Sequence, residues 1–487
     1  MTLDPIPAAP LAPLPDSARP HVVIIGGGAS GVLMAAHLLR APQGQAQVTI
    51  IEGRHMLGCG IAYSTSDPDH LLNTRASSMS AFPDRPDHFR DWLARQGISA
   101  GPQAWDSFVS RTTYGSYMAS LIEPWTRGEG SRRLRCLRDF CMSLTEDAKD
   151  VTAHLSDGRI IRADKAVLAT GHALPEPDPQ GLVQGSWDQQ ELPGRDDRVV
   201  IVGSGLSMVD QVLSLLRRGH RGDILVVSRR AQLPREHAET QPLAVAAENI
   251  PFGAPVSQMM AWLRGLARQA EDAGGSWRDA VDGVRPHLRA IWQALPLAER
   301  LRFLRHAAGW WEVHRHRLPP ESAAPMRAAI RTGRIRLLAA SFQGAERHCD
   351  GQLLAVIRCR GSGTEQRVKA ARIIDCRGIR RDPEENATPV VASLLRDGRA
   401  RIDPLRLGLD VSPEAALLDR HGIPSTCIFA IGPASRAAFW EIMAIPDIRN
   451  QTAQLAKELL GEHPESLRPG CAPLQFPVLQ ATQWTAS

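Results

Sequence analysis

The stretch His21 to Arg54, HVVIIGGGASGVLMAAHLLRAPQGQAQVTIIEGR, decides the fold of this chain. Val22 to Ile25 form an apolar run of strand length. Gly26, Gly28 and Gly31 follow in the order G-x-G-x-x-G and open a helical pattern, and a second apolar run, Val48 to Ile51, ends in Glu52. Strand, glycine turn, helix, strand and terminal acid together read as a βαβ unit that binds a dinucleotide. The first glycine permits the tight turn, the second lets the backbone approach a pyrophosphate, and the third lets helix pack on strand. The helix start, with Ser30 in its first turn, offers free N–H groups and a positive dipole end to phosphate. Glu52 stands where an acid accepts hydrogen bonds from ribose hydroxyls.

The same pattern returns later. Arg198 to Arg230, RVVIVGSGLSMVDQVLSLLRRGHRGDILVVSRR, is again strand, glycine turn, helix and strand, with Gly203, Gly205 and Ser207 in the turn. Met208 takes the third glycine's place, which should hold helix and strand slightly apart. Ser228, Arg229 and Arg230 replace the acid, and arginine there suits the 2′-phosphate of NADPH better than the free hydroxyl of NADH. Each unit ends in a strand and glycine, LATG at Leu168 to Gly171 and DCRG at Asp375 to Gly378. A chain with two such units is most economically a flavoprotein reduced by a nicotinamide cofactor. FAD is expected on the first unit and NADPH, or NADH, on the second. The segment Cys427 to Leu460 returns to complete the first unit: Gly432 follows a buried strand, and Pro446 and Asp447, with Ile448 next, start a helix aimed at the flavin.

The expected fold is therefore α/β, with two Rossmann-like dinucleotide-binding domains and the NAD(P)H domain inserted in the FAD domain. The expected boundaries are a disordered leader 1–20, FAD domain 21–190, NAD(P)H domain 196–378 with a helical insertion 240–330, a second FAD portion 379–465 and a tail 466–487.

Composition bounds the rest. The chain has 487 residues and a net charge of +5, and just four of its 57 basic residues are lysines. That is a bias towards arginine, and nucleic-acid binding is not indicated. Nothing approaches the ~18 consecutive apolar residues of a membrane span, and the Pro- and Ala-rich start has no basic n-region of a secretory signal. A cytoplasmic protein is expected, with reduced thiols. Cys136 and Cys141 have the C-x4-C spacing of disulfide reductases but lie far from the first glycine turn, in a strand-like stretch, and read as core thiols. Oligomeric state is not legible.

Three segments are candidates for the chemistry. Gly58 to Pro83, rich in Gly, Ser, Asn and Thr, follows Glu52 directly and is expected to line the flavin, with Tyr63 and Ser80 as candidate cofactor contacts and Asn73 as a candidate catalytic group. In WWEVHRHRLPP, from Trp310, His314 and Arg317 are candidate catalytic groups, alternating basic residues that would project together if the segment were extended. From Arg285 to Arg336 eleven arginines face three acids, so an anionic substrate is attracted there. No third ligand accompanies His314 and His316, and no metal is expected. Phe439, Trp440 and Glu441 precede the final helix, where Glu441 is a candidate base or amine-binding carboxylate.

GGGASG with IIEGR, GCGIAYSTSDPDHLLNTRASSMSAFPDRPDHFRDWL, YGSYM, LATGHALP, VGSGLSMVD, WWEVHRHRLPP and FWEIMAIPDIR resemble the bacterial FAD/NAD(P)-binding proteins grouped with FAD-dependent urate hydroxylase, over residues 20 to 460. The GIAYSTSDPDHLLN stretch is also similar to nitrosuccinate-forming aspartate N-hydroxylases. The resemblance implies a flavin monooxygenase that takes O2 and a small-molecule substrate, with oxygen delivered from a flavin C4a-hydroperoxide. Urate-type hydroxylation is the first expectation, and N-hydroxylation of an amino acid or amine the alternative. A flavin dehydrogenase without oxygen insertion shares both glycine motifs. Arg377-Gly378 stands where the resemblance implies a Thr-Gly pair.

Overall fold

The computed structural model describes residues 19–461 except 42–45, 55, 99–106, 129–131, 148, 172–176, 189–192 and 379–381. The expected tail, the leader up to residue 18 and His172 to Pro175 of LATGHALP lie outside the described residues.

The chain begins β1 (His21–Ile25), α1 (Ala29–Arg40), β2 (Gln47–Ile51). Helices α2 (His88–Arg95) and α3 (Arg111–Ser120) occupy the crossover to β3 (Leu134–Leu137). An antiparallel meander of β4 (Cys141–Glu146), β5 (Val151–Leu155) and β6 (Ile160–Ala163) leads to β7 (Lys165–Leu168). The pattern restarts with β8 (Gln184–Gly185), β9 (Val199–Val202), α4 (Leu206–Arg217) and β10 (Ile224–Ser228). Six helices follow: α5 (Val256–Asp272), α6 (Trp277–Val284), α7 (Leu288–Ala294), α8 (Leu297–His306), α9 (Ala308–Arg315) and α10 (Pro320–Arg331). Then come β11 (Ile335–Arg347), β12 (Leu353–Cys359), β13 (Glu365–Ala370), β14 (Arg372–Asp375), α11 (Pro389–Arg396), β15 (Ala416–Leu418), β16 (Pro424–Ala430), α12 (Arg436–Phe439) and α13 (Ile445–Leu459).

Two sheets carry the fold. The first has the order β15-β16-β7-β1-β2-β3 and the second β13-β12-β11-β10-β9-β14-β8. Because β15 and β16 return to the first sheet after the second is complete, the second unit is inserted in the first. Both sheets put a glycine-turn strand at the centre, β1 between β7 and β2 and β9 between β14 and β10, all parallel. Central parallel strands are covered on both faces, which is why Val22 to Ile25 and Val199 to Val202 are continuous apolar runs. Each is buried along its length, and each such side chain contributes about 1.5–3 kcal/mol of transfer free energy.

The helical insertion bridges the units. Trp292 of α7 stacks on Trp440 with ring centroids 4.7 Å apart, and its indole N–H donates to the Ala437 carbonyl at 2.7 Å. Cys136 and Cys141 end and begin adjacent strands of different sheets; both are free thiols, and burial pushes each up to about 12.

Candidate functional site

The first glycine turn is shaped to admit a phosphate. Gly26 has φ +107°, and a Cβ there would lie 2.4 Å from the Ala169 carbonyl oxygen. A Cβ on Gly31 would fall 1.9 Å from the Gly26 oxygen, so helix and turn are in backbone contact. Gly28 occupies the N-cap of α1 with no side chain capping the helix, which leaves first-turn N–H groups to a ligand. The return strand closes over this end: a Cβ on Gly432 would meet the Ser30 hydroxyl at 2.4 Å, and Ser30 is buried. Glu52 accepts from Gly27 N–H at 2.7 Å and from Arg54 N–H at 2.9 Å. Its carboxylate is thereby locked at the edge of the turn with lone pairs to spare for a ribose. Gly171 lines, with Thr170, Pro433 and Arg436, a cavity of about 70 Å³ beyond the ends of β7 and β16.

The second turn repeats the geometry. Gly203 has φ +110° and lies as close to the Cys376 carbonyl, 2.4 Å from a built Cβ, as Gly26 does to Ala169. Gly205 caps α4 with open space before it, and Ser207 is half-buried in the first turn. Met208, in place of the third glycine, is fully buried, and its N–H and that of Val209 both reach the Gly205 carbonyl, at 3.1 and 3.3 Å. Ser228 is held by Ser204 and by the Ala231 N–H. Arg229 is exposed, and its carbonyl accepts from Arg360. Arg230 leans on the helical insertion, 5.7 Å from the Trp310 ring centroid. Arg377, where a threonine was expected, folds back onto Asp375 of its own strand.

The segment Gly58 to Pro83 departs from expectation. Gly60 covers the glycine turn, its Cα 3.3 Å from a Cβ built on Gly28. Tyr63, however, packs on the buried Tyr114 ring at 4.9 Å, and burial raises its phenol. Ser80 is fully buried and its hydroxyl is shared between the Phe82 and Arg85 carbonyls. The sequence reading of Ser80 as a cofactor contact thus gives way to a turn-closing role, because no face of the side chain is open. Asn73 offers its carbonyl to His237 at 2.9 Å, across to the second unit.

The basic segment is also corrected. Trp310 to Arg315 are helical, in α9, so side chains two apart diverge and do not form one cationic row. Arg317 turns away into a two-pronged pair with Asp282 at 2.9 and 3.0 Å. His314 bonds the Trp310 carbonyl and packs edge-on against Trp277. Their charge and ring are engaged in holding α6 to α9.

What gathers instead is a buried set around Glu441. Its carboxylate accepts from the Trp311 indole N–H at 2.6 Å and pairs with Arg315 at 3.4 Å. Burial pushes this acid up, but Arg315, His316, Trp311 and Arg285 outweigh burial and hold it below its ordinary value. His316 is driven down to about 4 by burial first and then by Arg315, Arg436 and Arg285, against the opposing pull of Glu441. Arg285 is lowered to about 10 by burial and by Arg315. Asp447, in the first turn of α13, is raised by burial despite Arg285 and Arg315, and its Oδ2 is buried without a hydrogen-bond partner. Trp440, between α12 and this set, is held at φ +43°, a strained value for an aromatic residue. Ile448 is buried one turn into α13. The sequence marked Asp447 as a helix start and Arg285 as the first of an arginine run, but not their meeting, since some 160 residues separate them and no spacing rule links them. Among the described residues no group of His, Cys, Asp or Glu could hold a metal, and no helix is long and apolar enough to cross a membrane.

Residues 23–173 match a protein family described as FAD-NAD(P)-binding. No curated protein matches the chain in sequence. Among solved structures, the chain is similar to ornithine hydroxylase from Pseudomonas aeruginosa in its reduced form (TM-score 0.63, 13% identity, 91% of this chain and 99% of that one). It is similar to L-lysine 6-monooxygenase from Pseudomonas syringae (TM-score 0.63, 14% identity, 91% and 99%). It also resembles an FAD-bound cadaverine monooxygenase of desferrioxamine biosynthesis from Erwinia amylovora (TM-score 0.64, 13% identity, 95% and 99%). At such identities the likeness is one of fold, and that fold is the α/β pair of Rossmann-like dinucleotide-binding domains expected from the two glycine turns.

Proposed function

We propose that this protein is an NADPH-dependent FAD monooxygenase that hydroxylates a nitrogen of a small amine or amino acid. The observation that carries the reading is the buried mixed-charge set: Glu441 and the unsatisfied Asp447 oxygen beside Arg285, Arg315 and His316. A carboxylate pair suits a substrate ammonium and the surplus arginines suit a substrate carboxylate. The likeness in fold to ornithine, lysine and cadaverine hydroxylases supports nitrogen as the target. Urate-type hydroxylation, the first expectation from the motifs, becomes the second reading, favoured by the arginine excess alone.

In this reading Gly26, Gly28, Ser30, Gly31, Glu52, Gly171, Gly432 and Ile448 surround FAD, and Gly203, Gly205, Ser207, Arg229 and Arg230 surround NADPH. The glycine turns fit such groups, because the space a Cβ would fill is kept open beside uncapped helix ends. Bound FAD supplies hydride acceptance and oxygen activation. The chain supplies the rest: the α13 start favours negative charge on the ring facing it, Glu441 holds an amine by charge, and the tryptophan wall of Trp292, Trp311 and Trp440 excludes water.

The test is NADPH oxidation under air with aspartate, ornithine, lysine, simple diamines and urate, with NADH run in parallel and products analysed after turnover in 18O2. A labelled hydroxylamine from an amine supports the reading. Labelled product from urate alone selects the second reading, and anaerobic turnover with an artificial acceptor and no label in any product removes both.

A further inference from the structure

The stretch STSDPDHLLN was expected to serve the flavin, yet its Asp67, Asp69 and His70 side chains bond to the second unit. Helix α4 presents Asp210, Ser214 and Arg217 at i, i+4 and i+7, one stripe of the helix. Every one of them is taken by the first unit. Arg111 pairs with Asp210 at 2.9 Å, both largely buried. Asp67 accepts from the Ser214 hydroxyl at 2.6 Å and from Arg217 at 2.6 Å, and Asp69 takes a second Arg217 nitrogen at 3.2 Å. His70 closes the set, its Nδ1 2.8 Å from the Thr65 hydroxyl oxygen and its Nε2 3.0 Å from that of Ser214. A few residues on, His237 of the second unit donates to the Asn73 carbonyl. Arg111, Asp210 and Asp67 are buried enough to bond with little screening and to fix direction as well as distance, while Arg217 and Asp69 stand at the solvent edge.

The position of this network gives it a role. Gly205, at the N-terminal end of α4, starts the turn that takes a pyrophosphate in the reading above, and Asp210 is only five residues beyond it. On the opposite side, Asp67 and His70 follow a few residues after Gly60, which covers the first glycine turn. The network therefore joins the end of one dinucleotide site to the wall of the other. We infer that Asp67, His70 and Arg111, with Asp210, Ser214 and Arg217, are positioning residues that set the reach of the nicotinamide to the flavin. They touch neither reacting ring; they hold α4 at the angle from which hydride can pass. The inference rests on FAD and NADPH occupying the two turns as proposed.

The test is rapid-mixing reduction of the FAD-loaded protein by NADPH without oxygen. Arg217→Gln, half-exposed and expected to fold, and the exchange pair Arg111→Asp and Asp210→Arg are compared singly and together. A misplacement of about 1 Å costs up to ~100-fold in a transfer step. The limiting rate of flavin bleaching should accordingly fall by at least about tenfold in the single variants, while NADPH affinity and FAD content stay near wild type. It should recover in the Arg111→Asp/Asp210→Arg double variant. Single variants that melt earlier yet bleach at the wild-type limiting rate would overturn the inference, as would a double variant that folds and binds both cofactors but does not recover. Wild-type protein whose bound flavin NADPH cannot bleach would overturn the functional reading, and this inference with it.

Discussion

Gly31 shows how much a single missing side chain decides. With its Cβ position 1.9 Å from the Gly26 oxygen, Gly31→Ala must drive α1 off the turn and distort the cradle for phosphate. Overpacking of this kind costs about 1–3 kcal/mol or more. The purified variant is expected to elute without FAD from a desalting column that leaves wild-type protein yellow. Glu441 is decided by charge. Glu441→Gln leaves Arg315 buried without its anion, which costs about 3 kcal/mol or more, read as a lowered urea midpoint. On the proposed function, the variant's KM for an amine substrate should rise well beyond any change in the rate of flavin reduction, because the amide no longer attracts an ammonium. Equal losses in both would argue that Glu441 merely braces the fold.

At the level of elements, α7 is the strut between the insertion and the returning chain. Trp292→Ala removes the stack on Trp440 and the bond to Ala437, at about 3–5 kcal/mol. Since that stack also supports the strained Trp440 next to Glu441, substrate affinity should fall along with the unfolding midpoint, while NADPH-driven flavin reduction survives. The elements differed in how far the sequence revealed them. Both βαβ units could be read because glycine spacing and apolar runs are local, and the apolar run Cys427 to Ile431 announced the buried end of β16 in the same way. Arg317 and Ser80 misled for a shared reason: residue type says which bonds a side chain can make, and tertiary partners, Asp282 for one and the Phe82 and Arg85 carbonyls for the other, take them first. Asp210, Ser214 and Arg217 did form a helical stripe in the sequence, but its partner, Asp67 to Arg111, lies roughly a hundred residues or more away and no periodicity connects them.

Across the whole molecule, burial sets the response to acid. His37, His237 and His316 are each lowered to about 4, in every case chiefly by burial. A histidine whose folded value lies below its unfolded 6.5 binds protons more readily when unfolded. Its neutral form thus contributes full stability above 6.5, and this is lost as pH falls from 6.5 towards 4. By linkage each histidine should cost about 1–2 kcal/mol at pH 5. Urea midpoints measured from pH 8 downward are expected to stay level to about pH 7 and then drop steeply. A midpoint unchanged between pH 7 and 5 would mean that these rings find water or a carboxylate once protonated. Asp382, held at about 2 by Arg406, adds nothing until far lower pH.

The thiols carry a consequence for the lifetime of the protein at work. Monooxygenases of the proposed kind release hydrogen peroxide whenever activated oxygen escapes its substrate, and a thiolate is what peroxide attacks. Cys136 and Cys141 are held in the protonated form by burial, and so are Cys59 and Cys376. Cys349 is the exposed exception among the described residues. During turnover with a poor substrate, Cys349 is expected to take up a sulfenic-acid label first, as located by peptide mass spectrometry, with the four shielded thiols unmarked. Among the described cysteines, the fold thus withholds four thiols from its own leakage and leaves Cys349 on the surface to record it.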